Sequence, residues 1–128
     1  MRRVRVSTPV LLLKALIGTL REFPKFNASL DGSGANLILK KFYHLGVAVD
    51  TPSGLLVPVI KDVDQKSVSD IAIELKDLAT QAREKGLPMT SMEGGTFTLS
   101  SIGALGGRAF TPIINAPEVA ILGATKAW

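Results

Sequence analysis

The segment from Ser67 to Gly86 constrains the fold of this chain more than any other part of the sequence. Its apolar residues recur at steps of three and four, at Val68, Ile71, Leu75, Leu78 and Ala82. This spacing places them on one face of a helix. Ser67 is suited to cap the first turn, and Gly86 is suited to end the last one. The pattern predicts an amphipathic helix over residues 68–85 that must cover a core.

A second helix is predicted over residues 8–23. Thr8 suits the N-cap, and Pro9 suits the first helical position, where a missing N–H costs nothing. The apolar face of this helix is formed by Leu13, Leu16, Ile17 and Leu20. Pro24 disfavours helical geometry at the residue before it, so the helix should end there.

The middle of the chain is predicted to be extended. Residues 44–50 alternate between two faces, and residues 55–60 follow after a turn, which together predict a hairpin. Pro58 cannot donate a hydrogen bond to a ladder, so its segment should lie at a sheet edge or carry a bulge. Residues 26–34 resemble a turn-rich connection, and residues 36–43 are a weaker strand candidate.

Two further strands are predicted, over residues 96–100 and 117–127. In the first, the hydroxyl side chains of Thr96, Thr98 and Ser100 project to one face and the apolar side chains to the other. With the two helices, these strands predict a mixed α/β fold. The length of 128 residues fits one domain.

The counts of cysteine and histidine exclude several chemistries. With no cysteine there is no disulfide, thiolate metal site or cysteine nucleophile. His44 is the single histidine, so no zinc or other metal site is predicted, and any catalytic triad within the chain would have to use it. A lone histidine on a strand is more often structural than a general base.

Charge and hydropathy argue against nucleic-acid and membrane partners. The net charge is +4, aromatic residues make up 5%, and no basic helical stripe is present. The longest aliphatic run near the N-terminus, residues 10–13, ends at Lys14, whereas a span takes about 20 apolar residues. The cluster of Arg2, Arg3 and Arg5 before an apolar stretch superficially resembles a signal peptide, but no A-x-A-like cleavage site follows.

Ser100 ends the strand predicted over residues 96–100, and Ser101, Gly103, Gly106 and Gly107 follow it. From the residues alone, a strand end and a tight turn are the ordinary interpretations. The glycines could instead let backbone amides approach a ligand. Their spacing is neither the Walker pattern nor the dinucleotide fingerprint.

Longer strings carry a more specific signal. FPKFNASL (residues 23–30), GVAVDTPSGLLVPV (46–59), GTFTLSSIG (95–103) and NAPEVAILG (115–123) follow one another in this order. Through them the chain resembles the catalytic domain of the dihydrolipoyl acyltransferases, the core components of 2-oxoacid dehydrogenase complexes. Within that family it is most similar to the acetyl-transferring members of bacterial pyruvate dehydrogenase.

The resemblance implies a chloramphenicol-acetyltransferase-like fold, in which helices flank a mixed sheet in two layers. It implies homotrimers that assemble into a large cubic core. The other components of the complex are the implied partners, and the bacterial cytoplasm is the implied location. The implied reaction moves an acetyl group between dihydrolipoamide and coenzyme A, with the lipoyl group carried on a separate domain and no metal. The absence of cysteine suits an enzyme whose reacting thiols belong to its substrates.

The resemblance also implies roles for particular residues. Ser100 would donate the hydrogen bond that stabilises the oxyanion and would not act as a nucleophile. Ser101 and the three glycines of the following loop would lie along the acyl and pantetheine groups. Asn27, Asp50 and Leu56 would help to line the substrate channel at the boundary between subunits.

One part of the family pattern lies outside the sequence. The general-base histidine of the family belongs to a signature Asp-His-Arg-x-x-Asp-Gly downstream of the Ala-Ile-Leu-Gly strand, and the chain ends at Trp128 before it. The lipoyl and subunit-binding modules are outside it as well. We therefore expect residues 1–128 to be one partial catalytic domain that is inactive alone. A non-catalytic assembly module is the alternative, and the choice among acetyl, succinyl and branched-chain substrates stays open.

Overall fold

The two predicted helices form at their predicted positions. A computed structural model describes residues 8–52, 54–101 and 118–124 of the chain. Helix α1 spans Thr8–Glu22 and helix α2 spans Val68–Glu84. Ser67 caps α2, because its Oγ accepts a hydrogen bond from the Asp70 N–H at 3.1 Å. Gly86 follows α2 with φ of 76°, a backbone conformation that a glycine adopts without strain.

Eight strands are assigned in the described residues. They are β1 (Ala28–Leu30), β2 (Leu37–Leu39), β3 (Leu45–Val47), β4 (Val49–Thr51), β5 (Gly54–Leu56), β6 (Val59–Ile60), β7 (Phe97–Ser101) and β8 (Ile121–Ala124). The largest sheet has the order β6-β3-β7-β8. In it β7 runs parallel to both β3 and β8, whereas β6 runs antiparallel to β3. The sheet is therefore mixed, as the family resemblance implies.

The hairpin predicted between residues 44 and 60 is confirmed, and it is divided into two ladders. β3 pairs with β6, and β4 pairs with β5 in a separate two-stranded sheet. Pro58 lies at the division and accepts a hydrogen bond from the Val47 N–H at 2.9 Å. Pro58 directly precedes β6, which occupies an edge of the sheet, in agreement with the prediction for a segment that contains a proline.

The segment from residue 26 to residue 34 is more ordered than its turn-rich sequence suggests. β1 pairs with β2 across a turn from Asp31 to Asn36. The Asp31 carboxylate accepts hydrogen bonds from the Ser33 N–H and hydroxyl and from the Asn36 side chain, and these bonds lower the pKa of Asp31 to about 2. The turn signals are correct, but strands of three residues are too short to show a period in the sequence.

One face of the main sheet carries the core. The apolar side chains of β3 and β7 contact buried residues of α1 and α2, and these core residues include Leu13, Leu16, Ile17, Leu20, Leu45, Val47, Ile71, Phe97 and Leu99. All four residues predicted for the apolar face of α1 are buried. The other face of β7 is left for the hydroxyl residues. Neither of the helices in the described part is long and apolar enough to cross a membrane.

Candidate active site

Ser100 stands near the end of the central strand β7, between two small neighbours. On one side it pairs with Gly123 of β8. On the other side lies Ala48, whose N–H donates to the Leu99 carbonyl at 3.0 Å. Ser100 is partly exposed, and its hydroxyl makes no hydrogen bond to another described residue. The hydroxyl is therefore free to donate to a ligand above the sheet.

The rest of this strand face is polar and fully partnered. The Thr96 hydroxyl donates to the His44 carbonyl at 3.3 Å, and the Thr98 hydroxyl donates to Glu118 Oε1 at 2.5 Å. Opposite Thr98 on β3 is Gly46, where a Cβ would lie 3.3 Å from Thr98 Oγ1 and 2.9 Å from a Val57 methyl carbon. A side chain at Gly46 would therefore press on the hydroxyl face.

Glu118 is a functional candidate that sequence reasoning missed. Glu118 is 8% exposed. Burial raises the pKa of its carboxyl, and the hydrogen bond from Thr98 partly opposes that rise. A perturbed buried carboxyl beside a cleft is a common feature of functional sites. The sequence signal for it is only an acidic residue near the start of the apolar segment predicted over residues 117–127.

A cavity of about 470 Å³ lies beside the start of β7. Its lining combines glycines with charged side chains and includes Lys40, Phe42, His44, Lys61, Glu93, Gly94, Gly95, Thr96 and Glu118. Ser100 does not belong to the lining. Thr96 and the buried Glu118 carboxyl connect this cavity with the hydroxyl face of β7.

His44 lies beside Asp62, and its Nδ1 is 3.8 Å from the Asp62 carboxylate Oδ1. Its Nδ1 accepts a hydrogen bond from the Asp62 N–H at 3.0 Å, and Asp62 has the left-handed φ of 51°. The ring also contacts Phe42, at 4.6 Å between centroids. A nitrogen that accepts a hydrogen bond carries no proton, so the neutral ring holds its proton on Nε2. The lone pair of His44 Nδ1 is thus engaged by the backbone.

Comparison with known proteins agrees with the fold. Residues 1–128 match the family described as 2-oxoacid dehydrogenases acyltransferase (catalytic domain). The chain belongs to this acyltransferase family.

Individual relatives are similar over nearly the whole chain. The acyltransferase chain is 56% identical over 124 residues to the dihydrolipoyllysine-residue acetyltransferase component of pyruvate dehydrogenase complex of Pseudomonas aeruginosa, covering 97% of this chain and 23% of that relative. The chain thus spans about a quarter of that relative's length.

Solved structures give the same result. A structure of Azotobacter vinelandii dihydrolipoamide acetyltransferase, from investigations of a serine, a histidine and an asparagine in its catalytic mechanism, matches with a TM-score of 0.94 and 57% identity. A structure of the cubic core of the pyruvate dehydrogenase multienzyme complex matches with the same TM-score and identity. Each match covers 98% of this chain and 51% of the other. The acyltransferase fold predicted from the sequence is confirmed.

The other predicted site residues of the acyltransferase lie in different parts of the fold. Asn27 is 1% exposed, and its amide donates to the carbonyls of Lys40 and Phe42 at 3.3 and 3.0 Å. Asp50 and Leu56 lie on the β4–β5 hairpin, with Asp50 exposed and Leu56 partly buried. Ser100 and these three residues line neither the cavity beside the start of β7 nor a second cavity along the end of α2.

The remaining predicted residues follow Ser100. Ser101 is the last residue of β7. Gly103, Gly106 and Gly107 lie outside the described residues. Within the described ranges, no group of three or more histidine, aspartate or glutamate residues is arranged to hold a metal ion.

Proposed function

We propose that this chain carries the oxyanion-stabilising part of an acetyltransferase site, in a protein that transfers an acetyl group between dihydrolipoamide and coenzyme A. The named relatives are acetyltransferase components of pyruvate dehydrogenase complexes, which supports this reaction and this complex. The lipoyl group and coenzyme A supply the two thiols between which the acetyl group moves. A bacterial cytoplasmic location fits the proposal, because those relatives are bacterial.

The unpartnered hydroxyl of Ser100 is the observation that carries the proposal. The carbonyl oxygen of a thioester gains negative charge when a thiol attacks it, and a donor already aimed at that oxygen is worth roughly 3–4 kcal/mol. Ser100 stands on a buried central strand, which fixes its backbone, and the small residues Ala48 and Gly123 leave room beside it. These features fit a thioester carbonyl and require no metal.

The general base of this proposal is a histidine outside the 128 residues. His44 is the single histidine of the chain, and its Nδ1 is engaged by the Asp62 N–H. The investigation of a serine, a histidine and an asparagine in the Azotobacter vinelandii acetyltransferase supports a site in which a serine acts beside a histidine. The 128 residues alone should then turn over slowly, because losing a general base costs about 10²–10⁴-fold in rate.

The substrate channel remains part of the proposal. Ser101, Gly103, Gly106 and Gly107 would lie along the acyl and pantetheine groups. Asn27, Asp50 and Leu56 would contribute to the boundary between subunits. The buried Asn27 would act there by holding the backbone at Lys40 and Phe42 in place.

We also propose that copies of the chain associate as trimers within a cubic core, together with the other components of the complex. The β1–β2 hairpin supports association, because Leu30, Leu37, Ile38 and Leu39 are all more than two-fifths exposed. Apolar side chains on both faces of a two-stranded hairpin are typical of a surface that another chain covers. The same observation favours the second candidate function, an assembly module without chemistry.

Replacing Ser100 tests the proposed function. In the full-length protein, S100A should lower kcat for acetyl transfer from acetyl-CoA to dihydrolipoamide about 10²–10³-fold, with little change in KM. S69A, at an exposed position of α2, is the matched control and should leave both constants unchanged. Succinyl-CoA and isobutyryl-CoA, assayed in parallel, test the choice of the acetyl group.

Unchanged turnover in S100A would exclude the oxyanion role and leave the assembly module as the better description. That alternative has its own measurement. I38K should dissociate the assembly in sedimentation or light scattering, whereas M89K, at a site 69% exposed outside the hairpin, should not.

A further inference from the structure

A buried carboxylate ties the strand that carries Ser100 to its neighbour. Glu118 comes just before β8, and its Oε1 accepts a hydrogen bond from the Thr98 hydroxyl of β7 at 2.5 Å. Thr98 is 1% exposed and Glu118 is 8% exposed. A hydrogen bond to a carboxylate in such a place is stronger than one in water, and its loss leaves a buried group without a partner.

The space for this carboxylate is created by a glycine. A Cβ on Gly95 would lie 3.0 Å from Glu118 Oε2 and 3.3 Å from a Val59 methyl carbon. Three parts of the chain therefore meet at one carboxyl: the approach to β7 at Gly95, β7 itself at Thr98, and the approach to β8 at Glu118. Such convergence holds one strand against the next.

The hydrogen bond between Thr98 and Glu118 lies on the face of β7 that also carries Ser100. Thr98 and Ser100 are two positions apart on β7, and they pair with Ile121 and Gly123 of β8. A shift of β7 along β8 would move the Ser100 hydroxyl, and a slip of one residue would turn it to the opposite face. An oxyanion donor must stand within a few tenths of an ångström of its place to be effective.

We propose that Glu118 is a positioning residue for the reaction: through Thr98 it fixes β7 against β8 and thereby fixes the direction in which the Ser100 hydroxyl points. This inference rests on the proposed role of Ser100. In this role Glu118 does not contact the substrate, and Thr98 links the carboxylate to β7.

The role predicts a specific pattern of kinetic constants. A donor used only in the transition state contributes to kcat, so its misplacement lowers kcat and leaves KM nearly unchanged. In the full-length protein, E118L should lower kcat about tenfold to a hundredfold, the loss expected for a displacement of about 1 Å. E118Q keeps an oxygen that accepts the Thr98 hydrogen bond, so it should remain close to wild type. E84L, at an exposed position near the end of α2, is the matched control.

Substitutions at Thr98 give a second set of variants, which does not depend on whether E118L folds. T98V removes the hydroxyl at nearly constant volume and should lower kcat as E118L does. T98S restores a hydroxyl at the same position and should restore kcat. If E118L does not fold, the comparison of T98V with T98S still decides the question.

A double-mutant cycle separates positioning from general destabilisation. Each of E118L and T98V is measured alone and combined with S100A. If Glu118 acts through Ser100, both substitutions lower kcat in the wild-type background and have almost no further effect in S100A. An equal loss in both backgrounds, or no loss in either, would overturn the positioning role. An S100A variant with wild-type kcat would instead overturn the proposed function, so the two failures are distinguishable.

Discussion

The two faces of strand β7 differ, because one belongs to the core and the other is polar and carries the proposed oxyanion donor. On one face, Phe97 and Leu99 are buried in the core against the helices. On the other, Thr96 and Thr98 are buried but bonded, and Ser100 is partly exposed. Because side chains alternate along a strand, the core residues set the position of their polar neighbours. The position of Ser100, the proposed oxyanion donor, is thus set by residues of the opposite, apolar face.

Removal of a side chain from the apolar face should have the largest effect on stability. Leu99 is 0% exposed, and L99A should lower the free energy of unfolding by about 2–5 kcal/mol, the cost of a cavity in a packed core. S100A, one position further on, should change it by less than about 0.5 kcal/mol. Denaturant unfolding of both variants checks the contrast. Equal destabilisation by the two would mean that the faces are not distinct.

A substitution at Gly46 should damage the polar face from the neighbouring strand. In G46A the added carbon would stand 2.9 Å from the Val57 methyl and 3.3 Å from Thr98 Oγ1, so one of them must move. We expect a loss of about 1–3 kcal/mol in unfolding free energy. G18A is the control, because nothing lies within 4 Å of a Cβ at that helical position. A G46A protein as stable as G18A would show that the hydroxyl face tolerates crowding.

The buried carboxyl of the polar face should make stability depend on pH. Burial raises the pKa of Glu118 in the folded state above its ordinary value of 4.5, so the folded protein holds this proton to a higher pH than the unfolded chain does. Its contribution to stability is therefore present below pH 4.5 and decreases as pH rises through the folded-state pKa. Thermal unfolding of wild type and E118Q from about pH 4 to about pH 8 should show this decrease only in wild type. E84Q, with an exposed carboxyl replaced, should behave like wild type.

The smallest expected effect concerns His44, which borders the polar face through its carbonyl. H44N offers an amide oxygen to the Asp62 N–H in place of Nδ1. We expect kcat for acetyl transfer to stay near the wild-type value, measured in the full-length protein. If His44 were the general base, its replacement would instead lower kcat about 10²–10⁴-fold. A loss of that size in H44N, with unfolding unchanged, would assign the base to this chain after all.

Much of the fold could be predicted because its signals are local. The periodicity of their apolar residues and capping residues such as Ser67 indicate the helices. The strict alternation of polar and apolar residues indicates β7. The strands β1 and β2 could not be predicted well, because three residues carry no measurable period and their exposed apolar side chains do not alternate.

The site was less accessible to sequence reasoning. The role of Ser100 came from resemblance to a family and remains a prediction. Glu118 was missed because its partner Thr98 lies 20 positions away, and only the register of β7 and β8 brings them together. Contacts of this kind depend on how strands pair, and the local sequence of one segment does not determine its pairing partner.

The parallel pairing of β3 with β7 has a consequence for how the protein folds. The two strands meet across a long stretch of chain, since Thr96 reaches the His44 carbonyl from 52 positions away. Closing such a loop costs entropy before any contact repays it, whereas α1 and α2 need only neighbouring residues. We therefore expect the helices to form early and β7 to join the sheet late. On a ribosome or during refolding, Ser100 would be among the last residues to become ordered.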